Sequence, residues 1–282
     1  MAATNGALVY AWRDGDAQHE LRLVRVPGTA GQPYLFGGGR QRRPIDVSDF
    51  YIGTTPVTQA LWMHVMGSNP ATRPDLRCPV ENISWEQITG AGGFLDRINA
   101  SEILTAVAGP GSALKFRLPS ETEWEYAARG GPHWTDGFVF SGSNNPREVA
   151  WFGPRWTPAH RFVAALFGPR LGWRIVGRRR LSMLFTPQAR THDVATKAPN
   201  QLGLYDMSGN IWEWCEDVCI DDLNAVPADG SPFLGPGEER RLRGGCHDNW
   251  DLHCTVAWRY GITPDAHDSC LGFRLVLAAS RH

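Results

Sequence analysis

The sequence predicts an α+β fold, with a few short capped helices in its first half and strands joined by irregular chain in its second. Three observations carry this. Two capping boxes, Ser84-Trp85-Glu86-Gln87 and Ser120-Glu121-Thr122-Glu123, announce helix starts before residue 130, and no comparable start follows. Short stretches such as Leu21-Arg22-Leu23-Val24-Arg25-Val26 alternate apolar with basic residues, as a half-buried strand does. The chain carries 12 Trp beside 31 Gly and 20 Pro, which suits many turns around a few large Trp-filled core sites. A doubly wound sheet would instead need strands and helices in alternation.

In chain order, residues 7–12 and 21–26 read as strands, Gly37-Gly38-Gly39 as a loop, and Ile45–Tyr51 as a third strand by its alternation. A helix is expected over roughly 56–66, capped by Thr55 or Thr58, with Pro56 in its first turn. The box at Ser84 opens a second helix, with Ile88, Ala91, Leu95 and Ile98 as one apolar stripe and Gly92-Gly93 weakening it. The box at Ser120 opens a third, which Gly130 ends after Arg129.

Composition excludes more than it selects. A formal net charge of −1 gives no global attraction to nucleic acid or anionic membrane. No apolar run reaches the length of a membrane span, and the N-terminus has no basic start followed by a long apolar core, so a cytoplasmic protein is expected. Six Cys, at 78, 215, 219, 246, 254 and 270, contain no Cys-x2-Cys pair, which argues against a structural zinc site. Cys215 and Cys219 read as a buried, reduced pair. From Trp151 to Arg190 there are eight Arg and no acidic residue. Residues 153–190 therefore read as an insertion that packs on its own domain and shows its Arg to water; a docking surface for nucleic acid or an acidic partner is the competing reading.

Several phrases then add up in order: Phe50-Tyr51-Ile52-Gly53, Pro79-Val80-Glu81-Asn82-Ile83-Ser84-Trp85, Phe116-Arg117-Leu118-Pro119-Ser120-Glu121-Thr122-Glu123-Trp124-Glu125-Tyr126-Ala127-Ala128-Arg129-Gly130, Asn200-Gln201-Leu202-Gly203-Leu204-Tyr205-Asp206-Met207-Ser208-Gly209-Asn210-Ile211-Trp212-Glu213-Trp214, Arg243-Gly244-Gly245 and Leu271-Gly272-Phe273-Arg274. They resemble the sulfatase-modifying, formylglycine-generating enzyme family over roughly 45–152 and 191–277. The resemblance implies one domain over 1–282 with a C-type-lectin-like fold: few helices, twisted antiparallel sheets and much irregular chain.

Fold does not settle function within such a family. The formylglycine-generating oxidase uses two thiolates that bind copper(I), placed as Cys-x4-Cys a few residues after the Gly-Gly. Here Cys246 follows Gly245 directly and the next is Cys254, a Cys-x7-Cys spacing that does not match. An iron-dependent sulfoxide synthase of the ergothioneine type takes its three-His site largely from a separate helical domain, and none is expected before residue 45. The third member type, the variable proteins of diversity-generating retroelements, carries a mutable segment between a Gly-Gly and a Gly-Phe-Arg-Leu-Val near the C-terminal end. Residues 246–270 resemble it. Randomised AAY codons cannot encode Lys, Glu, Gln, Met or Trp. Between Cys246 and Cys270 there is no Lys, Glu, Gln or Met, and the only Trp are Trp250 and Trp258.

The resemblance thus implies a non-catalytic ligand-binding protein, with no catalytic residue assigned and an unknown protein or surface ligand as partner. The copper-dependent oxidase is the alternative. The expected contact residues are His247, Asp248, Asn249, Asp251, His253 and Tyr260, followed by Ile262, Thr263, Ala266, His267, Asp268, Ser269 and Cys270. Ala257, Trp258, Arg259, Pro264 and Asp265 read as frame, while Trp250 is either frame or a binding anchor. The spacing of His247, Asp248, His253, His267 and Asp268 is irregular, which suits diversification better than metal ligation. The resemblance also implies a structural calcium site held by Asp206, the Gly209 and Ile211 carbonyls and Glu213, where a metal-free turn is the alternative.

Overall fold

The computed structural model describes residues 6–39, 41–153 and 190–279. The Arg-rich insertion 153–190 lies almost wholly outside these residues, so its docking or packing role stays an expectation.

A hairpin opens the chain: β1 (Leu8–Asp14) pairs with β2 (Ala17–Val26) along its full length. A second hairpin joins β3 (Tyr34–Gly38) to β4 (Gln41–Ile45), so Gly37 and Gly38 belong to a strand and not to a loop. The expected strand Ile45–Tyr51 is broken. Ile45 ends β4 and Phe50–Tyr51 open β5 (Phe50–Gly53), while between them Asp46 N–H bonds the Ala228 carbonyl and the Asp49 carboxylate accepts from Gly28 N–H and Arg25. These bonds to distant chain take the place of ladder pairing.

Helix α1 (Gln59–Met66) starts at Thr58, whose hydroxyl accepts from Leu61 N–H; Pro56 lies before it. The second expected helix is two. α2 (Trp85–Thr89) carries the full capping box with Gln87, and α3 (Phe94–Ala100) restarts after the glycines. Gly90 closes the first piece by donating to the Glu86 carbonyl, and Gly92, at φ +71°, turns the chain before α3. Ala91 therefore turns to solvent and Phe94 goes to the core in its place. α4 (Glu102–Ala108) has no counterpart in the sequence reading. After β6 (Leu114–Arg117), α5 (Glu121–Ala128) bears the second capping box, and every residue in it is buried. Among the described residues the later chain adds α6 (Pro146–Val149), three 3-10 turns (Gly131–Asp136, Leu223–Ala225 and Asp251–Cys254) and strands β7 (Ala150–Trp151), β8 (Ser208–Gly209), β9 (Trp212–Val218), β10 (Arg240–Arg243), β11 (Tyr260–Ile262), β12 (Leu271–Phe273) and β13 (Val276–Ala279).

Two sheets organise the domain. One has the order β1-β2-β5-β13-β6 and is antiparallel throughout, so the C-terminal strand sits beside strands from the first half of the chain. The other has the order β11-β10-β9-β12, with β12 parallel to β9. An aromatic group formed by Trp62, Phe94 and Phe273 packs under both, with Trp62 and Phe94 stacked at 5.2 Å. Each such fully buried aromatic removes enough apolar surface to contribute about 2–3 kcal/mol. The fold is the mixed α+β, curled-sheet arrangement that the sequence implies. Cys215 is buried and Cys219 half-buried, both as free thiols.

Candidate ligand-binding surface

Segment 246–270 leaves β10, passes through β11 at the sheet edge and returns to β12. Its beginning is fixed by glycines. Gly244 and Gly245 adopt φ +95° and +74°, and a Cβ on Gly245 would meet the Cys254 sulfur at 2.7 Å. Only glycine fits a left-handed turn under that contact.

Its middle is fixed by charge. Helix α5 points Glu121 and Glu125 into the interior, 1% and 0% exposed. Arg259 grips Glu121 with both guanidinium arms, Nε to Oε1 at 2.7 Å and Nη2 to Oε2 at 2.6 Å. Arg241 and Arg243, from β10, lie 3.1 and 3.7 Å from the same carboxylate, and Arg243 also binds Glu125. Arg243 Nη1 donates to the Trp258 carbonyl and Nη2 to that of Val256. Burial alone would raise the Glu121 pKa, but Arg241, Arg259 and Arg243 overcome it and hold the carboxyl down at about 2. Arg259 is therefore frame, as its place in the sequence suggests.

Its end is fixed by backbone. Asp268 O accepts from Asn82 N–H and Pro264 O from Glu86 N–H, while the Asp268 carboxylate accepts from Cys270 N–H. Asn249 caps the start in the same way, its side-chain oxygen accepting from Cys246 N–H.

The expected contact residues divide accordingly. Thr263 and His267 are exposed, and Asp248, Asn249, Asp251, Tyr260, Ile262, Ala266, Asp268, Ser269 and Cys270 are half-buried. Tyr260, Ile262, Ala266 and Cys270 pack against the core with one side. As outward-facing contact residues His247 and His253 are corrections: they are 6% and 4% exposed, and His247 reaches only the wall of a cavity. His247 is bonded to the Asn210 carbonyl through Nδ1 at 3.0 Å. His253 lies between Trp250 and Trp258, with centroid distances of 5.8 and 4.6 Å, and burial lowers its pKa to about 4. Leu252, 46% exposed on the turn Asp251–Cys254, is a surface residue that the sequence reading missed.

Beside the segment lies a cavity of about 670 Å³, lined on one wall by His247 and Ser269 and on others by Arg73, Cys78, Trp151 and His192. Its volume is within the range of small-molecule sites. No local motif marks it, because its walls come from five separate stretches of chain.

The implied calcium residues lie on one short stretch, 206–213, where the Gly209 carbonyl already accepts from Ile211 N–H. Asp206 is 2% exposed and accepts from Ala195 N–H and Asn210 Nδ2, both neutral donors. Burial without a contacting cation raises its pKa to about 6. Glu213 is already neutralised: Arg274 Nη2 donates to Oε1 at 2.8 Å, and Trp124 Nε1 donates to Oε2 at 2.7 Å. The donor set is all oxygen, as calcium requires, and Asp206 is the carboxylate short of positive charge.

No hydrogen bond or ligand grouping joins Cys246 to Cys254, the thiols of the oxidase alternative, among the described residues. Cys254 is buried beside Phe140 and Val149, its sulfur toward the Trp250 carbonyl at 3.8 Å, and burial pushes its pKa far up. Cys246 instead faces Cys270.

The sulfatase-modifying factor enzyme 1-like domain matches residues 24–279. The chain belongs to that family. A formylglycine-generating enzyme of Streptomyces coelicolor is 30% identical over 225 residues, 76% of this chain and 59% of its own length. A chaperone protein, LppX, of Paenibacillus barcinonensis is 34% identical over 194 residues, 61% of this chain and 63% of its own. The chain thus spans about three fifths of these curated relatives. Among solved structures, Treponema denticola variable protein 1 superposes with a TM-score of 0.70 at 26% identity, covering 95% of this chain and 98% of that one. The family domain therefore covers the second sheet, the framed segment and the first sheet from the end of β2 onward, and the fold is of the C-type-lectin-like type seen in formylglycine-generating enzymes. Among the described residues no helix is long and apolar enough to cross a membrane.

Proposed function

We propose that this chain is a non-catalytic binding protein that displays residues 246–270, as a variable protein of a diversity-generating retroelement does, to a protein or surface ligand. The observation that carries the reading is the division of labour within the segment. Its start, middle and end are held from below by glycine turns, the Arg259–Glu121 clamp and backbone bonds, while Leu252, Thr263 and His267 project outward. Substitutions at such projecting positions cost within about ±0.5 kcal/mol, so binding residues can be exchanged on a constant scaffold. The likeness to Treponema denticola variable protein 1 over nearly the whole chain supports it.

Asp206, the Gly209 and Ile211 carbonyls and Glu213 would hold a calcium ion as a structural cation. Arg274 already balances Glu213, so the stabilisation would come mainly through Asp206.

The experiment is a library randomised at 251, 252, 263, 267 and 269 and displayed on cells. Most members should resist protease like the parent, and binders to unrelated targets should be selectable. Loss of fold in most members would overturn the reading. The family's formylglycine-generating enzymes keep a copper-dependent oxidase as the second reading, carried here by one observation, the adjacent thiols of Cys246 and Cys270. With Cys246 only 1% exposed, a substrate thiol has poor access. Turnover of a cysteine-containing sulfatase peptide with copper would establish the oxidase instead.

A further inference from the structure

Cys246 and Cys270 are 24 residues apart, yet their sulfurs lie 2.7 Å from each other, and Cys270 Sγ is 4.0 Å from His247 Nε2. Topology brings them together. β10 runs antiparallel to β9 and ends at Arg243 opposite Glu213, while β12 runs parallel to β9 and begins at Leu271 opposite Trp212. The exit of one strand and the entry of the other therefore meet at the same end of β9, and the residues just outside them face one another.

The imidazole is oriented for ligation. Its Nδ1 is 3.0 Å from the Asn210 carbonyl, an acceptor only, so Nδ1 carries the hydrogen. Nε2 is left with its lone pair directed at the thiols. A ring nitrogen fixed by a backbone carbonyl, with the other nitrogen free to donate, is the outer-shell arrangement of metal-bound His. Asn210 is itself held in place: it adopts φ +65°, and its side chain bonds the His192 backbone on both sides.

We propose that Cys246, His247 and Cys270 form a site for a thiophilic d10 cation, Zn(II) or Cu(I), that clips together the two ends of the displayed segment. Their ligand atoms lie within 4.8 Å of one another. Zn–S bonds of about 2.3 Å place two sulfurs roughly 3.8 Å apart, so ligation needs the thiols to separate by about 1 Å, a side-chain adjustment. His247 also lines the 670 Å³ cavity, which places that opening beside a three-ligand site with room for a fourth, exchangeable ligand. Two Cys and one His suit a soft or borderline ion and exclude calcium or magnesium. The site needs no diversification of the segment and stands apart from the ligand-display reading.

The test uses the full chain, reduced and handled without oxygen, titrated with zinc sulfate and separately with Cu(I) against a competing chelator. One equivalent should bind, raise the melting temperature and protect two thiols from alkylation, mapped by mass spectrometry to Cys246 and Cys270. Binding should be lost in C246S and C270S, weakened at least tenfold in H247Q and kept in C254S. The tighter of the two titrations names the ion. Thiol protection in the wild type supplies the answer even where a variant fails to fold. Binding unchanged in C246S and C270S, protection of other cysteines, no uptake of either metal, or a Cys246–Cys270 disulfide that re-forms and excludes metal would each overturn the proposal.

Discussion

Replacing Glu121 by Gln removes the carboxylate that three arginines share and leaves Arg241, Arg243 and Arg259 facing one another in the interior. Breaking a buried pair from one side costs about 3–5 kcal/mol. The protonation shift gives a similar figure: holding a carboxyl at about 2 in place of its ordinary 4.5 corresponds to about 3 kcal/mol at 1.36 kcal/mol per pKa unit. Unfolding entropy of about 2.1 cal/mol/K per residue gives a chain of this length roughly 0.6 kcal/mol per degree, so the melting point should fall by about 5–8 °C. The assay is thermal unfolding of wild type and E121Q, with D49N as a control, since Asp49 pairs with Arg25 on the surface where both are more than half exposed. Such a pair contributes no more than about 1 kcal/mol. Because the folded pKa is depressed, the Glu121 contribution is present in full above about 4.5 and disappears as pH falls toward 2. The gap between wild type and E121Q should close over that window. A cost below about 1 kcal/mol at neutral pH, or a gap that does not narrow in acid, would refute the clamp.

Alanine at Thr263 or His267 should change stability by no more than about 0.5 kcal/mol by denaturant titration, and a loss above 2 kcal/mol would make these positions frame. Asp217 caps α5 by accepting from Glu121 N–H, and burial first, then the Glu121 charge, raises its pKa to about 7. A raised carboxyl favours the fold at lower pH, so stability should decline as pH climbs from about 4 to about 7, and D217N should lack that slope. Calcium should raise the melting temperature and chelator should lower it, with D206A insensitive to both; identical curves would make this turn metal-free.

What was legible in the sequence was local. Ser84 with Gln87 and Ser120 with Glu123 close their boxes as read, since a cap involves residues three apart. The same locality explains the failures. The burial of Glu-rich α5 has no local signal, because its cationic partners come from positions 117, 129, 241, 243 and 259. Gly92-Gly93 read as weakening one helix, but the break falls earlier, at Gly90, and gives two helices. His247 and His253 look like contact residues in an aperiodic run, but their burial depends on Asn210, Trp250 and Trp258. The meeting of Cys246 with Cys270 follows from two strands flanking β9, which no spacing rule encodes. Gly244, Gly245 and Arg259 read as frame through the family resemblance, which matches phrases and not contacts.

Deep sequencing of the 3′ end of this gene across a population of the source cells tests the central claim most directly. The account predicts substitutions confined to codons 246–270, at positions matching adenines of a nearby imperfect repeat, with Arg259 and the Gly-Gly constant. A uniform sequence with no such repeat would contradict it and return the chain to a fixed member of the formylglycine-generating family.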